Sequence, residues 1–307
     1  MKQEKTVAVI GCGNVGTQFA AAAARAGYDL LLYDVVEGLA EGRALDLGQA
    51  QHPLGFESKI RAIGDLSEAF DCDAWVITAG MPRKPGMSRA DLAAQNLAII
   101  QSIAEKAKDA GGTTLFILVT NPLDIVVTRF IEYAGIERNR VLGMGGVLDS
   151  ARMAYFISEL KNISPLEIEP WVLGAHSDLM VPVFSLTKIK GKSALDILTP
   201  EERDYVARKT INGGAEIVGY LKTGSAFLAP GAAAFKLLNA ALTDAREMLP
   251  VSVLAQGEYG FKGAAIGLPV IVGRNGIEKV VEVELLPEEE EALKASFDEV
   301  STFLKEV

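Results

Sequence analysis

Few side chains exchange a proton near neutral pH, and this sequence holds two of the kind best suited to it, His52 and His176. His52 stands in Gln51-His52-Pro53-Leu54-Gly55, a polar turn where a surface histidine needs no role, and none is assigned to it. His176 stands in Leu173-Gly174-Ala175-His176-Ser177-Asp178, just after an apolar strand, where functional groups concentrate. A lone histidine there is still more often structural. Upstream, Gly145-Gly146-Val147-Leu148-Asp149-Ser150-Ala151-Arg152 opens a helix and puts Asp149 and Arg152 on one face, a turn apart. Such an aspartate can orient an imidazole and stabilise its protonated form. Such an arginine can grip a carboxylate through two parallel hydrogen bonds. For an isolated Asp-x-x-Arg, an ion pair within the helix is the commoner reading.

A second pattern carries more context. Gly11-Cys12-Gly13-Asn14-Val15-Gly16 is a G-x-G-x-x-G with a β-branched, apolar strand before it and an alanine-rich helix after it. Glycines so placed allow a tight turn, the approach of a pyrophosphate to the backbone, and close packing of helix on strand. Asp34 ends the next strand, where a carboxylate accepts from ribose hydroxyls and repels a 2′-phosphate, so NAD is favoured over NADP. Cys12 reads as a small filler of the turn. The plainer alternative is a structural turn beside a solvated acid.

The elements that must hold these residues follow from hydrophobic periodicity. Residues 6–10, 28–33, 59–63, 74–78 and 113–119 read as buried strands separated by helical patterns, 15–26 and 37–49 among them, which predicts a doubly wound parallel α/β sheet. The alternation stops after residue 141. A helix at 147–160, a strand at 171–174, a hairpin around Lys190-Gly191-Lys192, helices at 201–221 and 231–248, strands at 251–256 and 264–272, and an amphipathic helix at 287–307 predict a second, α+β unit. The expected division is 1–143 for the dinucleotide and 144–307 for the substrate. The four glutamates at 288–291 read as a solvated face.

Composition bounds the rest. At 307 residues, 49% hydrophobic and 23% charged, the chain can bury a sizeable core and is neither disordered nor fibrous. Forty acidic against thirty basic residues leave a net charge of −10, which disfavours nucleic acid and anionic membranes as partners. Two cysteines neither staple a fold of this size nor make a four-thiolate metal site, and they suit a reducing cytoplasm. The uncharged stretch at 6–24 is broken by glycines and polar residues, so it reads as strand, turn and helix and not as a signal peptide.

Five ordered motifs give the chain a resemblance to the malate dehydrogenases in the lactate-dehydrogenase-like branch of the lactate/malate dehydrogenase superfamily. They are the glycine loop, Ala79-Gly80-Met81-Pro82-Arg83-Lys84-Pro85-Gly86-Met87-Ser88-Arg89, Thr120-Asn121-Pro122-Leu123-Asp124, Leu148-Asp149-Ser150-Ala151-Arg152 and Gly174-Ala175-His176-Ser177-Asp178. The resemblance implies NAD-dependent hydride transfer on a 2-hydroxy acid, with His176 as proton acceptor and Asp149 as its partner. It implies that Arg152 grips the C1 carboxylate, that Arg89 polarises the carbonyl, and that Asn121 meets both nicotinamide ribose and substrate. Asn96, Val119 and Thr120 join Gly11 to Gly16 and Asp34 as expected cofactor contacts. Arg83 takes the position that is arginine in malate enzymes and typically glutamine in lactate enzymes. An arginine enclosed with substrate needs a second carboxylate, which oxaloacetate carries and pyruvate lacks. Gly224 and Ser225 resemble the segment facing the substrate's side chain. The family's usual G-G-H-G-D is here Gly174-Ala175-His176-Ser177-Asp178, whose two extra side chains are expected to crowd the catalytic backbone. A homo-oligomer, with a tetramer favoured over a dimer, is also implied. Another 2-hydroxy acid such as lactate as substrate, and a non-catalytic NAD-binding sensor, are the alternatives.

Overall fold

A computed structural model describes residues 4–82 and 86–307. In its first half β1 (Thr6–Ile10), β2 (Asp29–Tyr33), β3 (Ile60–Ala62), β4 (Ala74–Ile77), β5 (Leu115–Leu118) and β6 (Val141–Gly143) are interleaved with α1 (Asn14–Arg25), α2 (Leu39–Leu54), α3 (Arg89–Ala107) and α4 (Leu123–Ala134). The strands pair in parallel in the order β3-β2-β1-β4-β5-β6. Every residue of β4 and β5 is buried, as strands covered by helices on both faces must be. Because β1 lies between β2 and β4, the order in which strands are added to the sheet reverses there, and a crevice opens beyond the carboxyl ends of β1 and β4.

The second half contains α5 (Gly146–Lys161), β7 (Ile168–Glu169), β8 (Val172–Gly174), β9 (Met180–Pro182), β10 (Lys188–Ile189), β11 (Lys192–Ser193), α6 (Ala194–Ile197), α7 (Pro200–Leu221), α8 (Leu228–Leu242), β12 (Glu247–Gln256), β13 (Lys262–Gly273), β14 (Gly276–Val280) and α9 (Pro287–Glu306). Its strands pair antiparallel, and the sheet runs on from the first half: β12 meets β6 where Ser252 lies opposite Gly143. That junction requires a glycine, since a Cβ at 143 would stand 2.6 Å from Ser252 Cβ. One sheet of eleven strands therefore carries the glycine loop near one side and His176 toward the other. Among the described residues no helix is long and apolar enough to cross a membrane.

Three elements depart from the sequence reading. α2 continues past residue 49 to Leu54 despite Pro53, because Gly55 adopts φ 66° and Phe56 N–H closes back on Gln51 C=O, which terminates the helix five residues later than expected. The histidine at 52 therefore sits in the last turn of a helix, and it is exposed there. α8 stops at Leu242, where the pattern suggested 248, because Asp244 and Arg246 both take positive φ and turn the chain into β12. Neither residue type announces that turn. In α9, Leu293, Phe297, Val300 and Phe303 face the core as its amphipathicity predicts, but the glutamate run is not wholly solvated. Glu289 is buried and accepts hydrogen bonds from Leu286 N–H and from Ser185.

Candidate active site

The cofactor end is built from backbone. A Cβ on Gly16 would lie 1.9 Å from Gly11 O, and one on Gly11 would lie 2.6 Å from Ala79 N, so both glycines are fixed by close packing of α1 against β1 and β4. Gly13 differs: nothing lies within 4 Å of its missing Cβ, which faces open space. Gly13 is also the N-cap of α1 and offers no side-chain cap, so the first-turn N–H groups, including those of Asn14 and Val15, remain free for an anion. Asp34 stands beside this loop and accepts from Cys12 N–H at 2.6 Å and Val36 N–H at 2.9 Å. One bond to each carboxylate oxygen leaves lone pairs for ribose hydroxyls. The residues present thus fit a dinucleotide. Burial, reinforced by the charge of Asp34, pushes the Cys12 thiol up to about 12, so it packs and does not react.

Thr120 is buried and donates to Ala79 C=O at 2.7 Å, while Thr78 donates to Gly11 C=O at 2.8 Å; these bonds lace the strand ends together. Val119 is half-buried at the end of β5, and Asn121 is exposed beyond it. Asn96 is 1% exposed, with its amide committed inside the protein. It exchanges two bonds with the Met81 backbone and donates to Asn121 C=O at 2.7 Å, so it ties the loops after β4 and β5 together from α3.

The histidine end is built from side chains. His176 Nδ1 lies 2.7 Å from Asp149 Oδ2, and Arg152 Nη1 donates to the other carboxylate oxygen at 2.9 Å. Asp149 is 1% exposed. Gly145, the N-cap of α5, permits this approach, since a Cβ there would stand 3.1 Å from His176 Cβ. Burial works against the charged imidazole, but the negative charge of Asp149 and their hydrogen bond outweigh it, so His176 keeps its proton above the usual histidine range. Across the site, Gly214 of α7 leaves room for the Arg152 guanidinium, 3.2 Å from where its Cβ would be. His176, Asn121, Pro122, Ser177 and Arg89 border one cleft of about 290 Å³.

The comparisons with known proteins agree over the whole length. The family model described as the lactate/malate dehydrogenase NAD binding domain matches residues 5–143, and the one described as the lactate/malate dehydrogenase alpha/beta C-terminal domain matches residues 146–307. The chain belongs to the lactate/malate dehydrogenase family. It is an NAD-dependent dehydrogenase. A malate dehydrogenase of Sorangium cellulosum is 41% identical over 299 residues, covering 96% of this chain and 95% of that one. The crystal structure of Cryptosporidium parvum malate dehydrogenase superposes with a TM-score of 0.95 at 36% identity, covering 100% and 99% of the two chains. A lactate dehydrogenase of the same organism, solved with lactic acid and nicotinamide adenine dinucleotide, gives 0.94 at 34% identity over 99% and 98%.

The cluster in this dehydrogenase includes groups that sequence reasoning missed. Asp124 is a buried carboxylate that accepts from His176 N–H at 2.9 Å and from Ser252 Oγ at 2.6 Å. Burial pushes its pKa up against those two bonds. It closes the Thr120-Asn121-Pro122-Leu123-Asp124 motif, which assigned it no role, and its other signal was an acid in the first turn of an otherwise apolar helix, Leu123-Asp124-Ile125-Val126-Val127. Ser296 of α9 accepts from Ala175 N–H at 2.8 Å, a contact no local pattern could reveal. The expected crowding beside His176 is relieved, because Ala175 packs into the core and Ser177 Oγ accepts from Leu179 N–H. Arg89 begins α3 and borders the cleft, but its guanidinium is paired with Glu299 of α9 and stacked 4.6 Å over Phe303. Gly224 and Ser225 form an exposed turn after α7. Arg83, the residue expected to select a dicarboxylate, lies outside the described residues.

Proposed function

We propose that the chain interconverts (S)-malate and oxaloacetate, with His176 exchanging the hydroxyl proton. The observation that carries this reading is the contact of His176 Nδ1 with a buried aspartate, which leaves Nε2 as the ring nitrogen available to substrate in the cleft. NAD bound in the crevice supplies the acceptor of hydride in oxidation and its donor in reduction. As the C2 hydroxyl becomes a carbonyl, Nε2 takes its proton, and Asp149 stabilises the resulting imidazolium and holds the ring's orientation. Asp124 fixes the backbone of the same residue. Arg152, anchored to Asp149 through Nη1, has further N–H groups for the C1 carboxylate. Arg89 would polarise the C2 carbonyl, and Asn121 would bridge cofactor and substrate.

The preference for a second carboxylate rests on Arg83 and on the relatives named malate dehydrogenase at 39–41% identity. A close fold match to a lactate dehydrogenase keeps lactate as the second reading. Following NADH absorbance with oxaloacetate and with pyruvate separates them: turnover of oxaloacetate alone supports the first, and a preference for pyruvate overturns it. Binding of NADH without turnover of either supports a sensor. Function in the cytoplasm and as a homo-oligomer, a tetramer before a dimer, complete the proposal. Leu45, Tyr155 and Tyr220 expose large apolar surface of the kind that association covers, and light scattering would give the copy number.

A further inference from the structure

We propose that Glu299 is a positioning residue that competes with substrate for Arg89 and so sets the affinity of the site. The inference rests on the reading of Arg89 as a substrate contact. Glu299 is placed by α9, whose buried stripe of Phe297, Val300 and Phe303 fixes the helix and turns Glu299 toward the cleft. Arg89 comes from the first residue of α3, where a capping box between Ser88 and Asp91 anchors the backbone. With that backbone held, the guanidinium reaches either partner by rotation of its own flexible side chain.

In this structure it rests on α9, ion-paired with Glu299 and lying over the Phe303 ring. Both charged groups border the cleft that contains His176 and Asn121, so the resting pair and the substrate contact are alternatives for the same N–H donors. The pair is poorly matched: Glu299 Oε2 is buried without a hydrogen-bond partner, so the carboxylate is held by one oxygen only. Asp298 and Glu306 line a second pocket with Arg89 and Glu299, and among the described residues no other cation lines it. Departure of Arg89 therefore leaves an uncompensated carboxylate behind. Substrate must offset that loss, and the apparent affinity falls by the fraction of molecules in which Arg89 is already free.

The test is steady-state kinetics on the full-length protein with Glu299→Gln, which keeps the shape and removes the charge. A half-exposed pair is weak, so the expected effect is a KM for oxaloacetate about three-fold lower, with the KM for NADH unmoved. Glu299→Asp, which keeps the charge but shortens the reach, should lower it in the same direction. A KM for oxaloacetate that is unchanged or raised in both variants overturns the proposal, as does a fall in kcat of ten-fold or more, which would make Glu299 part of the working site. Arg89→Leu separates the underlying reading: if it retains oxaloacetate turnover, Arg89 is not a substrate contact, whatever Glu299 does.

Discussion

The two ends of the crevice are made by opposite means. The cofactor end is a local piece of chain in which absent side chains matter most: Gly11 and Gly16 are demanded by contacts under 3 Å, and Gly13 leaves a space. The histidine end is a set of polar side chains from separate elements: Asp149 of α5 meets the imidazole, Asp124 of α4, bonded to Ser252 of β12, holds the His176 N–H, and Ser296 of α9 holds the Ala175 N–H. A backbone site is specified by sterics and is contiguous in sequence. A side-chain site is specified by electrostatics and is contiguous only in space.

The largest expected effect breaks the second end and spares the first. His176→Asn should lower kcat for oxaloacetate about a thousand-fold, inside the 10²–10⁴ range of general acid–base catalysis, while NADH binding, read by its fluorescence, stays intact. A variant that loses both would mean the two ends are not separable. Asp149→Asn sharpens the electrostatic claim. Oxidation needs neutral His176 and reduction needs it protonated. Since Asp149 raises the pKa, oxidation declines as pH falls through that raised value, and reduction declines as pH climbs through it. With Asp149 neutralised, burial dominates and both limbs of kcat/KM should move to lower pH. Limbs that stay in place would assign the titration elsewhere.

At the cofactor end the glycines can be set against each other. Gly16→Ala must push backbone apart and should lose about 1–3 kcal/mol of stability in urea, with NADH affinity falling alongside. Gly13→Ala meets nothing in the protein, so Tm should hold while the Kd for NADH rises about ten-fold, near 1.4 kcal/mol. Equal destabilisation by both would refute the distinction between packing and approach. An effect on stability alone lies outside both ends. Glu258 accepts from Arg138 at 2.7 Å; burial opposes its charge, but the Arg138 bond and charge and nearby backbone N–H groups bring its pKa down to about 2. Its contribution is complete above its ordinary 4.5 and fades as pH falls toward 2. Glu258→Gln should cost about 1–2 kcal/mol at neutral pH, with the gap closing in acid and neither NADH affinity nor kcat affected.

This division also explains what could be read in advance. The strand–turn–helix, the parallel half and the last helix were legible because apolar periodicity and glycine spacing are local signals. Asp149 and Arg152 were legible because one helical turn brings them together, and His176 because the chain has few alternatives. The parts played by Asp124, Ser296 and Glu299 were not, since each acts on a residue far away in the chain, and even Asp124, which closes a quoted motif, looks like an ordinary helix position. The late end of α2 and the early end of α8 escaped for a different reason: a glycine overrode a proline in one, and two ordinary residues took left-handed backbone in the other.

One bond orders these ends in time. Ala175, beside His176, donates its N–H to Ser296, which lies 121 residues further along the chain. A ribosome makes the glycine loop, its helix and Asp34 long before that hydroxyl exists, so the strand end carrying His176 lacks this partner throughout most of synthesis. The residues of the nucleotide cradle are thus synthesised well before the last partner of the strand end beside His176 exists.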